Sequence, residues 1–298
     1  MSGDAPDLET MAALLNSSGR YRVLHRLEPR QVVAKPDGSE TRLGLFVDVE
    51  TTGLDSSRDE IIELAMVPFT YSLDGRIFEI RDPLQMLREP TNPIPAGITL
   101  LTGITDEMVS GHTIDPAEVA AFADDAAVVI AHNAAFDRRF LERLSDVFIR
   151  KPWACSMTQV DWVAEGFEGT KLAYLAMGAG FFYERHRATH DCIAAIELLA
   201  TPLPKTGAPA MARLLETARR ASWRIWAENA PFDKKEILKS RGYRWNSDGA
   251  INPRAWYIDL EEGLRDDELA FLRESIYLRD VNLPIREITA YERFSDRF

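Results

Sequence analysis

The sequence has few cysteines and no long apolar run, and both features exclude classes of protein. Cys155 and Cys192 are its only cysteines, which is too few for the disulfide framework of a small secreted domain, and their spacing is not that of metal ligands. No apolar run approaches the roughly 18 residues that span a bilayer. The acidic, polar N-terminus also lacks the basic and apolar stretches of a signal peptide. We therefore expect a cytoplasmic protein with no membrane partner.

Positive charge is also scarce. The chain has 35 Lys and Arg against 47 Asp and Glu, which gives a formal net charge of −12. This balance argues against a protein that coats nucleic acid through many phosphate contacts. A protein that grips a single chain end needs few such contacts, so that class remains open.

Two carboxylates end an apolar run near residue 50. Residues 43–53 read LGLFVDVETTG, which predicts a buried strand that stops at a turn. Residues two apart on a strand share a face, so Asp48 and Glu50 point the same way. Their mutual repulsion is relieved by a proton or by a hard cation such as Mg²⁺ or Mn²⁺. The alternative is that Asp48 merely ends the strand and Glu50 is solvated.

A third acid lies near the start of a predicted helix. Residues 131–144 read AHNAAFDRRFLERL, in which the apolar spacing predicts a helix with Asn133 as its N-cap. Asp137 then lies in or near the first turn, where the helix dipole favours negative charge. The alternative role for Asp137 is this dipole compensation alone.

A third segment combines an acid with a histidine. Residues 184–200 read ERHRATHDCIAAIELLA, which predicts a helix with Thr189 as its N-cap and Asp191 near its start. His186 precedes Asp191 by five positions. Both side chains can address one site only if His186 lies in the loop before the helix, and the capping signal places it there.

In chain order, the motifs Asp-x-Glu-Thr-Thr-Gly, His-Asn-x-x-Phe-Asp and His-x-x-x-x-Asp resemble those of the DEDDh 3′-to-5′ exonucleases. That family includes the proofreading subunit of bacterial DNA polymerase III. The resemblance covers residues 41–200, and residues 92–109 are similar to the family's loop and helix beside the 3′-terminal nucleotide. Residues 153–156 read WACS where many members carry Asp-Thr, which is not a position of a metal-binding acid.

The resemblance implies a role for each motif residue. Four acids, Asp48, Glu50, Asp137 and Asp191, would hold two divalent ions, Mg²⁺ or Mn²⁺, and His186 would be the general base. A histidine suits this role because its reference pKa near 6.5 leaves a neutral base available at physiological pH. The residues expected to contact the substrate are Thr51, Thr52, Gly53, Ile98, Leu101, Thr102, Asn133 and Phe136.

Several residues near the motifs have competing interpretations. Phe136 is expected to be a core anchor in preference to a wall for a base. His132 is expected to have a structural role, and His190 is expected to face away from the site. Five arginines are predicted either to contact phosphate or to form a solvated helix face: Arg138, Arg139, Arg143, Arg185 and Arg187.

The implied activity is metal-dependent release of nucleoside 5′-monophosphates from the 3′ end of single-stranded DNA. RNA is the alternative substrate, because neither the motifs nor the charge separates deoxyribose from ribose. A non-catalytic nucleic-acid-binding scaffold of the same fold is a second alternative, which the complete acid set disfavours. The resemblance suggests a polymerase or a repair protein as partner, and the sequence does not choose between proofreading, repair and RNA trimming.

Composition and the family resemblance together predict four parts of the chain. Residues 1–40 are expected to be a leader. The resemblance implies that residues 41–200 form an exonuclease domain, an α/β, ribonuclease-H-like mixed sheet flanked by helices. Residues 201–210, TPLPKTGAPA, read as a linker. Residues 211–298 are expected to form a small α+β accessory module.

Periodicity and turn signals predict elements in each part. In the leader they predict a helix near 8–15 and a strand over 21–27. In the domain they predict an antiparallel meander followed by alternating strand and helix, with 153–163 left ambiguous. The predicted ranges are strands over 61–71, 76–82, 128–131 and 222–227, and helices over 116–122, 171–177, 211–220 and 261–277.

Residues 222–258 differ from the rest of the chain in charge. They hold seven Lys and Arg against four Asp and Glu, interleaved with six Trp and Tyr residues. This is the composition of a surface that pairs phosphate contacts with base stacking, or of the aromatic core of a small domain. Both interpretations hold if the rings alternate between two faces.

Overall fold

The computed structural model describes residues 7–247, 249 and 251–297. Its strands are β1 (His25–Arg26), β2 (Thr41–Thr51), β3 (Ile61–Ser72), β4 (Ile77–Ile80), β5 (Leu84–Leu87), β6 (Val128–Ala131), β7 (Trp153–Cys155), β8 (Phe181–Phe182), β9 (Ser222–Ala227), β10 (Arg244–Trp245), β11 (Trp256–Glu261) and β12 (Ile285–Ile288).

The helices follow in the same order. They are α1 (Leu8–Ser17), α2 (Ala96–Thr102), α3 (Asp106–Val109), α4 (Pro116–Ala123), α5 (Ala134–Leu144), α6 (Val147–Arg150), α7 (Leu172–Ala179), α8 (Ala188–Ala200), α9 (Ala210–Arg219), α10 (Lys235–Ser240) and α11 (Glu262–Phe271), with a 3₁₀ turn at Phe232–Lys234 and a π-helical turn at Leu272–Tyr277.

A six-stranded mixed sheet organises the first part of the chain. Its order is β4-β3-β2-β6-β7, with β5 pairing with β3 as well. Strands β2 to β5 pair antiparallel, whereas β6 and β7 pair parallel to β2 and to each other. The predicted antiparallel meander is present, and it is followed by the parallel strand β6. Strand β5 is an additional strand that the sequence does not indicate.

The sheet is buried on both faces because its central strands are apolar at consecutive positions. Leu45 and Val47 of β2 pack in a core with α4, α5 and α6, whereas Phe46 packs on the other face with α7 and α8. Near-continuous apolar runs are expected of strands covered by helices on both sides. The predicted mixed sheet flanked by helices is confirmed.

The structure corrects the lengths of several predicted elements. The strand predicted over 21–27 is only β1, which pairs parallel with β8. The ambiguous stretch 153–163 begins as β7 and continues as turns. The helix predicted over 261–277 is α-helical only as far as Phe271 and then widens to the π-helical turn. Most of α1 is exposed, as expected of a loosely attached leader helix.

Helix α9 packs on the first domain. Met211, Leu214 and Leu215 belong to the core formed by α7, α8 and one face of the mixed sheet. Residues 201–210, predicted as a linker, contain a bridge between Pro202 and Pro209. The predicted division at residue 211 remains a prediction, and α9 joins the first core in the structure.

A second, four-stranded antiparallel sheet of order β10-β11-β9-β12 forms the C-terminal module. Ile225, Ile258 and Leu269 share a separate core with the π-helical turn. The predicted strand over 222–227 is confirmed as β9. The α+β character predicted for the module is present.

The segment after β12 returns to the first domain. Arg138 of α5 donates to the backbone carbonyls of Tyr291 (2.6 Å) and Arg293 (2.7 Å). The Trp153 N–H of β7 donates to the Ala290 carbonyl at 2.7 Å. Residues 289–297 therefore bind the module to the edge of the large sheet.

Among the described residues, no helix combines the length and the apolar character needed to cross a membrane.

Candidate active site

Strand β2 and helix α8 bring three acids together. Asp48 and Glu50 lie near the end of β2, and Asp191 lies in the first turn of α8. One carboxylate oxygen from each of the three lies within 4.8 Å of the other two. The first and third sequence motifs therefore meet in space.

Burial and mutual repulsion raise the pKa values of these acids. Burial comes first for Asp48, followed by the charges of Asp137 and Asp191, and together they hold its pKa well above the usual range. Burial and then the Asp191 charge raise the pKa of Glu50 to about 7. Burial also raises the pKa of Asp191. A cluster of this kind takes up protons or a cation.

Asp137 approaches the same place from α5. It is buried in the first turn of that helix, and its Oδ1 accepts a hydrogen bond from the Val49 N–H at 3.2 Å. Burial raises its pKa to about 8, with smaller contributions from Glu50 and Asp191. Asp137 lies outside the group of three oxygens, and its charge acts on Asp48 from the α5 side.

The donor set fits a hard divalent cation. Asp48, Glu50 and Asp191 supply only carboxylate oxygens, the ligands that Mg²⁺ and Mn²⁺ prefer over nitrogen and sulfur. Close spacing and raised pKa values are the physical signs that the acids are not neutralised by cationic side chains alone. The residues present can therefore hold such an ion.

His186 lies in the loop before α8, as the sequence predicts. Its backbone is in the left-handed region, with φ of 62°, and its N–H donates to Asp191 Oδ2 at 2.8 Å. The hydroxyl of Tyr183 donates to the other oxygen of Asp191 at 2.7 Å. Both oxygens of Asp191 are thus oriented by neighbours from the preceding loop.

The predicted N-cap of α8 is wrong. Arg187 occupies the N-cap position, and Thr189 lies inside the first turn. The Thr189 hydroxyl is buried and has no hydrogen-bond partner among the described residues. Asn133 does occupy the N-cap position of α5, with φ of 79°, but its side chain makes no capping hydrogen bond.

Glu63 belongs to none of the three sequence motifs. It lies directly across from Glu50 in the pairing of β2 and β3 and is fully buried. Its carboxylate accepts from Gln85 Nε2 at 2.6 Å, from Arg187 Nη2 at 3.0 Å and from the Ala188 N–H at 3.0 Å. Because Ala188 is the first residue of α8, Glu63 fixes that helix start beside the acids. Its sequence signal is a charged residue inside the otherwise apolar β3.

The turn after β2 is held by its own polar groups. The Thr51 hydroxyl donates to the Gly53 carbonyl at 2.6 Å, and the Thr52 N–H donates to the Glu60 carbonyl at 2.9 Å. A Cβ on Gly53 would lie 2.5 Å from the Asp59 carboxyl carbon, so a side chain at this position would displace Asp59. The contact of this turn with substrate stays a prediction.

The predicted substrate residues of α2 divide into buried and exposed positions. Ile98 packs against a small core that includes Ile62 and Ile104. The Thr102 hydroxyl donates to the Ile98 carbonyl at 3.0 Å. Leu101 is 53% exposed, which leaves its side chain available to a ligand.

The remaining candidates near the site are mainly structural. Phe136 packs against the core under α5, with its ring 5.1 Å from that of Phe140, which supports its role as a core anchor. His132 Nδ1 lies 2.9 Å from Ser156 Oγ, and its Nε2 lies 2.8 Å from the Thr170 carbonyl oxygen. Burial lowers the pKa of His132 to about 4, so it is a neutral structural residue.

The arginines near the motifs have different environments. Arg138 is fully buried, and its Nε lies 2.7 Å from Glu142 Oε1, so both interpretations given for it, phosphate contact and solvated face, are wrong. Arg187 pairs with Glu63 at 3.0 Å. Arg143 and Arg185 are exposed. Arg139 is 47% exposed and pairs with Asp296 at 2.9 Å.

Comparison with known proteins gives one family and a set of bacterial relatives. The RNase_T family model, described as an exonuclease, matches residues 45–199, just over half of the chain. The PolC-type DNA polymerase III of Clostridium perfringens is 35% identical over 159 residues, which cover 51% of this chain and 10% of that protein. The PolC-type polymerase of Halalkalibacterium halodurans is 42% identical over 97 residues, 32% of this chain and 6% of that protein. The chain thus spans about a tenth or less of these relatives.

A solved structure shares the fold. E. coli exonuclease I in complex with a dA16 oligonucleotide superposes with a TM-score of 0.51 at 15% sequence identity, covering 78% of this chain and 71% of that one. At this identity the likeness concerns the fold alone.

Proposed function

The chain belongs to the RNase_T exonuclease family and is an exonuclease. We propose that it removes nucleoside 5′-monophosphates from the 3′ end of single-stranded DNA in a divalent-metal-dependent reaction. The observation that carries the proposal is the group formed by Asp48, Glu50 and Asp191, whose oxygens lie within 4.8 Å of one another. Hydrolysis of a phosphodiester needs positive charge near the scissile phosphate, and this group can hold it.

Asp48, Glu50, Asp137 and Asp191 are proposed to hold two Mg²⁺ or Mn²⁺ ions. When bound, such ions lower the pKa of a coordinated water and stabilise charge on the attacking and leaving oxygens. The protein's own contribution is to keep the acids close and oriented. Tyr183 and the His186 N–H do this for Asp191, and the Val49 N–H does it for Asp137.

His186 is proposed to take the proton of the attacking water. It is partly exposed in the loop before α8, so its ring can reach solvent and substrate, whereas both ring nitrogens of His132 are occupied by Ser156 and Thr170. His190 Nδ1 lies 3.9 Å from Glu184 Oε2, in keeping with a side chain directed to another partner. A positioned general base of this kind contributes about 10²- to 10⁴-fold to rate.

The preference for DNA rests on the relatives. PolC-type polymerases are DNA polymerases, and exonuclease I is bound to a dA16 oligonucleotide in its structure. A DNA polymerase is the partner that the first group supports. RNA remains the alternative substrate.

The test is a degradation assay with oligonucleotides labelled separately at each end. A 3′ label should appear at once as mononucleotide, and a 5′ label should appear as a shortening ladder, in Mg²⁺ or Mn²⁺ but not in EDTA. The reverse pattern would contradict the proposed direction. Single-stranded DNA, duplex DNA and RNA are compared side by side.

Two variants make the assay specific to the site. Asp48→Asn should abolish release in both metals, because it removes a central ligand. Asp125→Asn, at an exposed acid before β6, is the matched control and should behave as the parent. Near-parental activity of Asp48→Asn would exclude the metal-binding role of this group.

A further inference from the structure

A cleft of about 780 Å³ lies between the first domain and the C-terminal module. One wall is a face of the module sheet, where Trp226 of β9 lies opposite Tyr257 of β11, and Tyr257 lies opposite Arg244 of β10. The opposite wall includes Arg139 of α5 and Thr158. The volume is within the range of about 300 to 1,000 Å³ that is usual for ligand pockets.

The lining of this cleft is basic in a chain that is acidic overall. Among the described residues, five arginines and three acids line it, whereas the whole chain has a net charge of −12. Such a local excess marks a surface that attracts phosphate. The charged lining residues are Arg139, Arg220, Arg224, Arg244, Arg293, Asp259, Glu261 and Asp296.

Three of these arginines reach the cleft from three parts of the fold. The side chains of Arg139, Arg220 and Arg244 are 47%, 56% and 59% exposed. Arg139 is paired with Asp296 at 2.9 Å and Arg244 with Asp259 at 2.7 Å, while Arg220 is paired with Glu216. Exposed ion pairs contribute little to stability, so a phosphate can replace the carboxylate at small cost and accept two hydrogen bonds from each guanidinium.

The cleft wall also contains planar side-chain groups, an aromatic ring and two guanidinium groups, close to one another. The guanidinium carbons of Arg224 and Arg244 lie 4.7 and 4.8 Å from the centre of the Tyr257 ring. Nucleic-acid bases stack on aromatic rings and on guanidinium planes. Trp223 and Trp256, in contrast, lie on the other face of this sheet, toward α11 and the module core. The rings therefore alternate between the two faces of the module sheet.

One residue of the cleft wall lies close to the acidic cluster along the chain. Ala135 lines the cleft and lies in the first turn of α5, two residues before Asp137. Because β6 runs parallel to β2, the carboxyl ends of both strands lie on the same side of the sheet. The start of α5 therefore lies on the side where β2 carries Asp48 and Glu50. A strand with its 3′ end at the acids can therefore continue past α5 into the cleft.

We propose that this cleft binds the single strand upstream of its 3′ end, with phosphates on Arg139, Arg220 and Arg244 and a base against the Tyr257 and Arg244 pair. The inference rests on the proposed function, since it assigns a place to the rest of the same substrate. The site contributes affinity and does not take part in the bond-breaking step.

The first experiment measures binding without cleavage. A 5′-fluorescein oligo-dT of about 20 nucleotides is titrated in EDTA at several salt concentrations, and fluorescence anisotropy gives Kd. For Arg139→Gln/Arg244→Gln we expect Kd to rise about 10-fold, and the slope of log K against log salt to fall by about 1.4, at about 0.7 per lost phosphate contact on a single strand.

The matched control is Arg81→Gln/Arg273→Gln. These arginines are 51% and 41% exposed and pair with Glu79 at 3.5 Å and Asp280 at 3.1 Å, so the same charge is lost elsewhere. Arg81 follows β4, at the sheet edge opposite β7. Equal Kd and equal salt slope for the two double variants would overturn the proposal.

A second variant avoids the ion pairs altogether. Thr158→Glu adds a negative charge to an exposed position of the cleft wall, and it should weaken oligo-dT binding to a similar extent. If it binds as the parent does, the strand does not pass this wall and the assignment fails.

Turnover separates this proposal from the proposed function. With metal added, the arginine variant should show a raised KM on the long strand and a parental kcat on a trinucleotide. Absence of any DNA degradation by the parent would contradict the proposed function, whereas the assignment of the cleft is decided by the binding measurements in EDTA.

Discussion

The raised pKa values of the site acids make the metal-free protein sensitive to pH. The pKa of Glu50 is raised from 4.5 to about 7 and that of Asp137 from 3.8 to about 8. The folded state therefore holds protons that the unfolded state releases, so this stabilisation is present below about pH 4 and is lost as pH rises toward about 8. We expect Tm in EDTA to fall across this range, and Mg²⁺ or Mn²⁺ to restore it at the alkaline end.

Asp48→Asn tests the cause of that fall. With one of the three clustered charges removed, the pH dependence in EDTA should become shallower and Tm near pH 8 should exceed that of the parent. A parent whose Tm in EDTA is flat over the range would show that the acids do not repel one another as the geometry indicates. Differential scanning fluorimetry is sufficient for both measurements.

His186 calls for a substitution that respects its backbone. At φ of 62°, alanine is strained, whereas asparagine adopts the left-handed region more readily. His186→Asn should therefore fold and bind Mn²⁺ as the parent does, while kcat falls by about 10² to 10⁴. His190→Asn is the control. A parental kcat for His186→Asn, measured by release of the 3′ label, would remove this histidine from the mechanism.

Glu63 is predicted to act by holding the start of α8 in place. Glu63→Gln keeps the shape but removes the charge that binds Arg187 and the Ala188 N–H. We expect kcat to fall about 10-fold with KM nearly unchanged, because the loss is in the orientation of catalytic groups. Gln85→Ala, which removes another partner of Glu63, should have a smaller effect. An equal change in KM and in kcat for Glu63→Gln would contradict a positioning role.

At this scale, the sequence predicts residues whose role depends on local motif spacing. Asp48, Glu50 and Asp191 come together as expected, since a strand and a helix start fix their directions. The role of Glu63 depends on its pairing with Glu50 of β2 and on a helix start 125 positions later, and neither is visible in a local pattern. The environment of Arg138 is not predicted for the same reason, because two of its hydrogen-bond acceptors, the carbonyls of Tyr291 and Arg293, lie at the other end of the chain.

At the scale of elements, the hairpin between β3 and β4 packs tightly against α9. Gly75 has φ of 87°, and a Cβ there would lie 2.4 Å from the Ala212 Cα. Gly75→Ala should therefore lower the free energy of unfolding by more than about 2 kcal/mol, which combines backbone strain with displacement of α9. Urea denaturation measures the change.

Gly38 provides the matched control. It has φ of 84°, and a Cβ placed there would have no neighbouring atom within 4 Å, so Gly38→Ala reports the backbone cost alone, about 1 kcal/mol. Equal losses for the two variants would show that α9 moves freely away from the hairpin.

Element prediction is accurate where one signal dominates. The strand predicted over 128–131 matches β6, because a short apolar run lies between polar turns. The strand predicted over 21–27 shrinks to two residues, since only the pairing of β1 with β8 decides its length. The capping signal at Thr189 fails because Arg187 and Ala188 are held by Glu63, a tertiary contact that overrides local capping preference.

At the scale of the whole molecule, the composition predicts two cores but not how they are joined. Residues 201–210 have the composition of a linker, but helix α9, which follows them, packs in the core of the first domain. Truncation near Leu203 would therefore remove core residues together with the module. Point variants in the cleft test the module without that damage.

The hydrogen bonds of Arg138 join the first domain to the C-terminal segment, so their loss should destabilise both. Arg138→Met leaves two C-terminal carbonyls and part of Glu142 without a donor, which should cost about 3 kcal/mol of folding free energy. Arg143→Met, on the exposed side of the same helix, should cost less than about 0.5 kcal/mol. Chemical denaturation of both variants gives the change in the free energy of unfolding. If Arg138→Met loses as little of it as the control does, Arg138 does not have this role.

The return of residues 289–297 to α5 has a consequence for cooperativity. A buried guanidinium belongs to the first core, but its hydrogen-bond acceptors belong to the segment that follows the last strand of the second. If either core unfolds alone, the Arg138 guanidinium is separated from its hydrogen-bond acceptors. Unfolding of one core therefore destabilises the other. Heating should thus give a single calorimetric peak for the parent, and Arg138→Met should separate that peak into two.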